Sequence, residues 1–285
     1  MHDRLIPLTP RFEKIKKQSC LQIETKKHKK KQSRVFEEKK TQKLEMSETE
    51  VFLDVNRPLV WQFTERTFSK SFYLDQIHKP QKQGTRMTLF AHPILEMLTM
   101  TLWWMIPLVW LPFAALLYWD TTVTSLVECP KLLLYGIGLM LWTVLEYVFH
   151  RFLFHIDYLL PNQQWALCLH FLVHGNHHFI PHDPYRLVMP PAMFLSLFGS
   201  MWYTVFLVVP IDIRSVLASG VVTGYVMYEM FHYLFHHTLP NMPQWFIELK
   251  KNHMAHHYGN PSGQFGVTSL LWDFIGQTTA QKKSV

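Results

Sequence analysis

Residues 132–155 read LLLYGIGLMLWTVLEYVFHRFLFH, a long apolar run with a single acid, Glu146, that leads straight into two histidines, His150 and His155. Residues 215–237 repeat the plan as SVLASGVVTGYVMYEMFHYLFHH, with Glu229 ahead of His232, His236 and His237. Each run is too long for a buried strand and has the length of a helix that crosses hydrocarbon. An HxxHH cluster follows each at a distance of some 20 residues: His174, His177 and His178 in the first half, and His253, His256 and His257 in the second. We read this as an internal pseudo-repeat. Thirteen of the chain's 17 histidines lie between 150 and 257.

Two more apolar blocks complete the pattern. Met97 to Trp119 carries no charge over 23 residues, and Pro107 and Pro112 are expected to kink it; Leu187 to Ile211 is also uncharged and opens with Pro190-Pro191, where proline suits a helix start. The fold class expected is therefore an all-α integral membrane protein. Its four transmembrane helices, near 97–119, 132–149, 187–211 and 215–231, form two hairpins beneath a cytosolic helical cap that holds a histidine-rich dimetal site. The composition agrees, because 17% charged residues is low where soluble domains carry about a quarter.

Charge fixes the expected topology. Residues 1 to 50 hold 14 Lys or Arg against 8 Asp or Glu, a balance of +6 out of the formal +7 of the whole chain. Residues 1–56 therefore read as a basic, disordered cytosolic arm, and 57–285 as the membrane domain. No stacking aromatics are interleaved with the lysines, so anionic lipid headgroups rather than nucleic acid are its expected contact, with a solvated tail without a role as the alternative. The positive-inside rule places both termini and the segment 150–186 in the cytosol, with the turns 120–131 and 210–214 on the far side. The ending Lys282-Lys283-Ser284-Val285 looks like a dilysine retrieval signal of endoplasmic reticulum membrane proteins. Three cysteines, Cys20, Cys129 and Cys168, form no CxxC and read as inert thiols.

The spacing of the histidines carries the chemistry. Residues three and four apart share a helix face, so His174, His177 and His178 are expected to converge on one point, as are His253, His256 and His257, and His232 with His236. HxxxxH is harder, since five residues turn an α-helix through about 500°; either the helix ends between His150 and His155, or they serve different metals. Ten imidazoles exceed the needs of one ion, so two metals are expected. Imidazole suits iron, zinc and copper alike. His78 and His92 read as ordinary core histidines.

At these residues the chain resembles the membrane fatty acid hydroxylase superfamily, and within it the fatty acid 2-hydroxylases. The likeness lies in Glu146-Tyr147 leading into HRFLFH, HGNHH followed by Pro181, Asp183 and RLVMPP at 186–191, GYVMYE leading into HYLFHH, and HMAHHYGN followed by residues 263–266 and Trp272-Asp273. It implies two metal ions, iron for catalysis with zinc as a possible bound species, held by His150, His155, His174, His177, His178, His232, His236, His253, His256 and His257. His170 and His237 are then outer or alternate ligands. It implies O2-dependent 2-hydroxylation of a long-chain fatty acid or of the N-acyl chain of a ceramide. Related sterol oxidases, acyl desaturases and a non-catalytic metal-binding membrane protein are the alternatives. Many members carry a haem domain with a His-Pro-Gly-Gly motif, whereas here His92-Pro93 is followed by Ile94. No haem is expected in this chain, and the electrons come from a separate cytochrome b5 and its reductase.

Tyr225, Tyr228, Glu229 and His232 stand at i, i+3, i+4 and i+7, so one helix face carries two phenols and an acid up to a ligand. Tyr225, Tyr228 and Glu229 are the candidate contacts of the substrate head group or of the metal ligands, the alternative being that they bind neighbouring helices. The family usually has Asp where this chain has Glu229, one methylene longer. Arg186 reads as an interfacial arginine, and Asp183 and Asp273 as candidate acceptors of a ligand's second N–H.

Overall fold

A computed structural model describes residues 52–82, 86–120, 128–237 and 240–279. The basic arm up to residue 51, Cys20, the 121–127 part of the far-side turn and the dilysine ending lie outside the described residues. One compact unit begins at Leu53. Among the described residues there are helices and no strands. In chain order they are α1 Leu59–Glu65, α2 Lys70–Ile77, α3 Pro93–Leu98, α4 Met105–Tyr118, α5 Glu128–Phe149, α6 Gln164–His170, α7 Asn176–Phe179, α8 Pro191–Val208, α9 Ile211–His236, α10 Gln244–Tyr258 and α11 Leu271–Ile275.

Among the described residues one stretch, Pro130–Phe154, is long and apolar enough to cross a bilayer, with 25 residues and a mean hydropathy of 1.8; Met105–Tyr118 is a shorter apolar helix. The first uncharged block thus yields a 14-residue helix rather than one kinked helix of 23. Proline explains the difference. Pro107 sits in the first turn of α4, where its missing N–H costs nothing, so the chain breaks before it instead of kinking at it. Residues 99–104 are non-helical, and Thr101 N–H donates to Tyr185 O at 2.8 Å. The third block begins its helix only at Pro191, leaving Leu187–Pro190 irregular, and α9 starts at Ile211 directly after Pro210, so the expected 210–214 turn is already helix.

The helices α5 and α9 run side by side in the same direction, and glycine makes their contact possible. The Cα atoms of Gly138 and Gly220 face each other: a Cβ added at Gly138 would stand 2.2 Å from Leu217 O, and one at Gly220 would stand 2.1 Å from Tyr135 O. One turn further on, Gly224 lies against the Trp142 ring. The helix α4 runs antiparallel to α9, with Ser219 Oγ donating to Ala114 O at 2.7 Å and Ser215 Oγ to Asp120 at 2.9 Å. Ile106, Trp110, Ala114, Trp142, Val222, Tyr225 and Val226 fill the space between them, joined by Phe194 of α8. Because α5 and α9 are parallel, His150 just past the end of α5 and His232 and His236 in the last turns of α9 emerge at one end of the bundle.

Candidate metal centre

The HxxxxH problem is solved by a change of helix type. From His150 to Phe154 the backbone widens into a π-turn, in which His155 N–H donates to His150 O, five residues back, at 3.0 Å. The wider turn brings the two rings to 5.1 Å between centroids. Neither expected alternative holds: the helix does not end between them, and they do not part to different clusters. A second π-turn, Phe171–Gly175, carries His174, the first histidine of the first HxxHH cluster. The Asn176 side chain satisfies two carbonyls there, donating to Phe171 O at 2.7 Å and Leu172 O at 2.9 Å. Gly175 leaves room for Tyr73, whose hydroxyl would stand 2.6 Å from a Cβ.

All ten histidines singled out by spacing are buried at this end of the bundle, and they fall into two groups of five. The first is His150, His155, His174, His178 and His256; the second is His177, His232, His236, His253 and His257. The partition corrects the expectation that each HxxHH converges on one point. Residues four apart point almost the same way, but the residue at i+3 lies about 100° round the helix from its neighbour at i+4. So His174 and His178 go to one cluster and His177 to the other, while His253 and His257 go to one and His256 to the other. Each half of the pseudo-repeat supplies four ligand-like residues to its own cluster and lends the middle histidine of its HxxHH to the opposite one. The two clusters touch through His178 and His257, stacked at 4.3 Å.

The nitrogens are arranged for cations. In the first cluster His155 Nε2 lies 3.1 Å from His174 Nε2, 3.1 Å from His178 Nε2 and 2.9 Å from His256 Nε2. In the second, His177 Nε2 lies 2.9 Å from His232 Nε2 and 3.0 Å from His257 Nε2, and His236 Nε2 lies 3.0 Å from His253 Nε2. A neutral imidazole has one N–H, so these contacts cannot all be hydrogen bonds. His150 Nδ1–H donates to Phe265 O at 2.6 Å and His256 Nδ1–H to Gly263 O at 2.7 Å, which leaves their Nε2 lone pairs free. The Nδ1 atoms of His177, His178, His236, His253 and His257 are buried without a partner. Burial first, and neighbouring imidazoles second, hold His174, His177, His178, His253, His256 and His257 well below the ordinary 6.5, so they are neutral at pH 7. Two nitrogens at about 2.0–2.1 Å from a shared ion and at right angles stand about 2.9 Å apart. Five inward lone pairs at this spacing repel one another unless a cation sits among them, and the donor set fits iron or zinc.

The carboxylates act one step removed. Asp273 does not receive an imidazole N–H; its oxygens accept from Phe265 N and Gly266 N, both at 2.8 Å. Glu146, four residues before His150, accepts from Thr268 N at 2.8 Å and Thr268 Oγ1 at 2.6 Å. Together they hold the strained loop in which Gln264 has φ 64°, and the carbonyls on either side of Gln264 are those that take the N–H groups of His256 and His150. Asp183 likewise receives no histidine. It pairs with Arg186 at 3.1 Å, and Arg186 also pairs with Glu96 and donates to Met87 O at 2.8 Å. Arg186 is thus a buried ion-pair centre, not an interfacial arginine. Arg186→Leu leaves the buried Asp183 and the half-buried Glu96 without their cation, for an expected loss of about 3–5 kcal/mol and roughly 6–20 °C in Tm. Thermal unfolding of the detergent-solubilised protein checks it, and an unchanged Tm contradicts it.

His170 and His237 lie outside both clusters. His170 is used up by protein, with Nδ1 2.7 Å from Tyr73 Oη and Nε2 2.9 Å from Phe154 O. His237 stacks on Tyr233 at 4.5 Å. Two residues escaped sequence reasoning. Asp157 faces His155 and His170 at 3.9 and 3.3 Å; burial works to raise its carboxyl, but the two imidazoles hold it below the usual range. His78, read as a plain core histidine, sits beside Asp157 and His155. The signal available for Asp157 was its place two residues beyond His155, on the side away from the apolar run.

A cavity opens onto both clusters, with His174, His177, His232, Leu98, Met189 and Met193 in its wall. Tyr228 and Glu229 line it, Tyr228 stacking on His232 at 5.8 Å and Glu229 accepting from Met189 N at 3.2 Å. Tyr225 does not. It is buried against Phe194, Trp142 and Trp110 at 4.4, 5.3 and 5.8 Å, because the face it shares with Tyr228 passes from the cavity into the aromatic core within one turn.

A helical bundle that ends in two adjacent five-histidine clusters able to hold metal ions, beside a cavity, defines the class of protein. The chain matches the family model described as fatty acid hydroxylase over residues 135–278, and it belongs to that family. It is 40% identical over 224 residues to the ceramide very long chain fatty acid hydroxylase SCS7 of Saccharomyces cerevisiae, covering 79% of this chain and 58% of that protein. It is 36% identical over 238 residues to the dihydroceramide fatty acyl 2-hydroxylase FAH2 of Arabidopsis thaliana, covering 81% and 97%, and 31% identical to human fatty acid 2-hydroxylase, covering 81% and 65%. The chain therefore spans about three fifths of the length of the yeast and human relatives. A solved structure of full-length scs7p, in which only the hydroxylase domain is visible, superposes with a TM-score of 0.75 at 39% identity, covering 82% of this chain and 87% of that one.

Proposed function

We propose that this protein is a membrane fatty acid 2-hydroxylase that acts on long-chain fatty acids or on the N-acyl chain of ceramides in sphingolipid synthesis. The observation that carries the reading is the pair of five-histidine clusters opening onto one apolar cavity with Tyr228 and Glu229 in its wall. The named activities of the relatives point the same way. Two irons, held by the ten clustered histidines, would activate O2; zinc is the alternative bound species. The overall reaction converts the C–H bond beside the carbonyl carbon to C–OH, consuming O2, two electrons and two protons and releasing water. The electrons come from a separate cytochrome b5 with its reductase.

The chain's own groups choose the carbon. The apolar cavity takes the acyl tail, and Tyr228 and Glu229 anchor the head so that C2 rather than C3 faces the clusters. A slip of one carbon is about an ångström along the chain, and misplacement on that scale costs about 10²-fold. Tyr228→Phe removes one anchor and is expected to lower product by roughly tenfold or more, a share of that loss, with metal content unchanged. Product analysis beside metal analysis checks this, and unchanged yield contradicts the anchoring role.

In this reading α4, α5, α8 and α9 are the four spans, paired as two hairpins in the endoplasmic reticulum membrane, with the termini and the clusters on the cytosolic side. The common exit of His150 and His232 at one end of parallel helices supports it, as do the apolar side chains that α5 exposes, among them Leu132, Leu133, Ile137 and Met140. The test is lipid mass spectrometry of a host lacking its own 2-hydroxylase, expressing this chain or its His256→Ala, His257→Ala form, which strips one ligand from each cluster. Appearance of 2-hydroxy acyl sphingolipids with the intact chain alone supports the proposal; a desaturated or sterol product overturns it.

A further inference from the structure

Three buried polar atoms without hydrogen-bond partners meet behind the first cluster: His155 Nδ1, Asp157 Oδ1 and His78 Nε2. His155, Asp157 and His78 each bring one ligand-type atom within 4.8 Å of the others. The tautomers follow from their surroundings. His78 Nδ1 stands 2.8 Å from Leu74 O, so its N–H is spent there and its Nε2 presents a lone pair. His155 Nε2 faces three other Nε2 atoms in the cluster, so its single N–H is on Nδ1, directed at Asp157. One donor thus faces two acceptors, and one of these is a carboxylate.

Asp157 is itself held in place. His170, fixed by Tyr73 Oη at 2.7 Å and by Phe154 O at 2.9 Å, brings its Nε2 within 3.3 Å of Asp157 Oδ1, an electrostatic contact rather than a hydrogen bond. His78 packs parallel to His155, with centroids at 6.2 Å and planes at 15°. At 3.9 Å the Asp157–His155 contact is electrostatic rather than a hydrogen bond. A carboxylate behind an imidazole orients the ring and makes its far nitrogen a better donor to a metal.

We infer that Asp157, backed by His78, His170 and Tyr73, is the positioning residue of His155 and sets how tightly the first cluster alone holds its metal. The inference rests on the dimetal reading above. It makes the two metals inequivalent, because Asp157 reaches a residue of one cluster only.

The experiment measures zinc affinity of the purified full chain by competition with a chelator, in backgrounds that keep one metal each. His177→Ala leaves the first cluster complete, and His178→Ala leaves the second. Adding Asp157→Asn is expected to weaken zinc about 10–100-fold in the His177→Ala background and to leave the His178→Ala background unchanged. Asp157→Glu, which keeps the carboxylate, is expected to weaken the first site less than Asn does. No change in either background, an equal loss in both, or a loss with Glu as large as with Asn overturns the inference. Zinc uptake by the parent chain separates the two claims: a parent that takes up no zinc overturns the functional reading and this inference with it, whereas two zinc ions per parent chain with an inert Asp157→Asn overturns this inference alone.

Discussion

Alanine at His177 and alanine at His178, neighbours in the chain, should each remove a different metal. His177 belongs with His232, His236, His253 and His257, and His178 with His150, His155, His174 and His256. Each single variant is expected to retain about one metal per chain and to lose more than about 100-fold in product, beyond what the loss of an outer partner costs. His177→Ala should then be insensitive to a further His257→Ala change in metal count, whereas His178→Ala with His257→Ala should hold none. Metal analysis of the purified variants reads this directly. Two neighbouring variants that deplete the same site would contradict the interleaved partition.

The second large effect is expected far from the histidines. Gly138→Ala is a mild exchange that ordinarily favours a helix by about 1 kcal/mol. Here the new methyl group would lie 2.2 Å from Leu217 O and 2.9 Å from Gly220 Cα, both backbone atoms that no rotamer change can move. The helices α5 and α9 must part, at a cost of about 1–3 kcal/mol or more. They carry His150 on one side and His232 and His236 on the other, so parting them also pulls on both clusters. The variant should melt several degrees lower and bind less metal. Gly136→Ala, two residues away on the same helix with nothing within 4 Å of its added carbon, is the control and should be neutral or slightly stabilising. Equal behaviour of the two variants contradicts the close crossing.

What the sequence discloses and what it withholds follow from the range of the forces involved. The ten histidines are legible because spacing within one helix is a local property, and the structure gathers all ten. Their division is not, because whether the i+3 and i+4 positions of HxxHH look into one site or two depends on where the next helix stands. The π-turns at 150–154 and 171–175 are invisible in propensity, although Asn176 and Gly175 are the residues that accommodate the second. Tyr225 illustrates the same limit: heptad-like spacing places it on the face of Tyr228, yet the aromatic packing of Trp110, Trp142 and Phe194 claims it. Apolarity over the whole first block predicts a single kinked span, whereas Pro107 decides locally where a helix can begin. The role of His78 is not legible because its contacts join segments some 80 residues apart, and that of Asp157 because it depends on where the loop after the π-turn lies against His170.

Anomalous X-ray scattering from crystals of the metal-loaded protein tests the central claim most directly. The account predicts two peaks per chain, one enclosed by His150, His155, His174, His178 and His256 and the other by His177, His232, His236, His253 and His257. A single peak, or two peaks that each gather one whole HxxHH triplet, would contradict it.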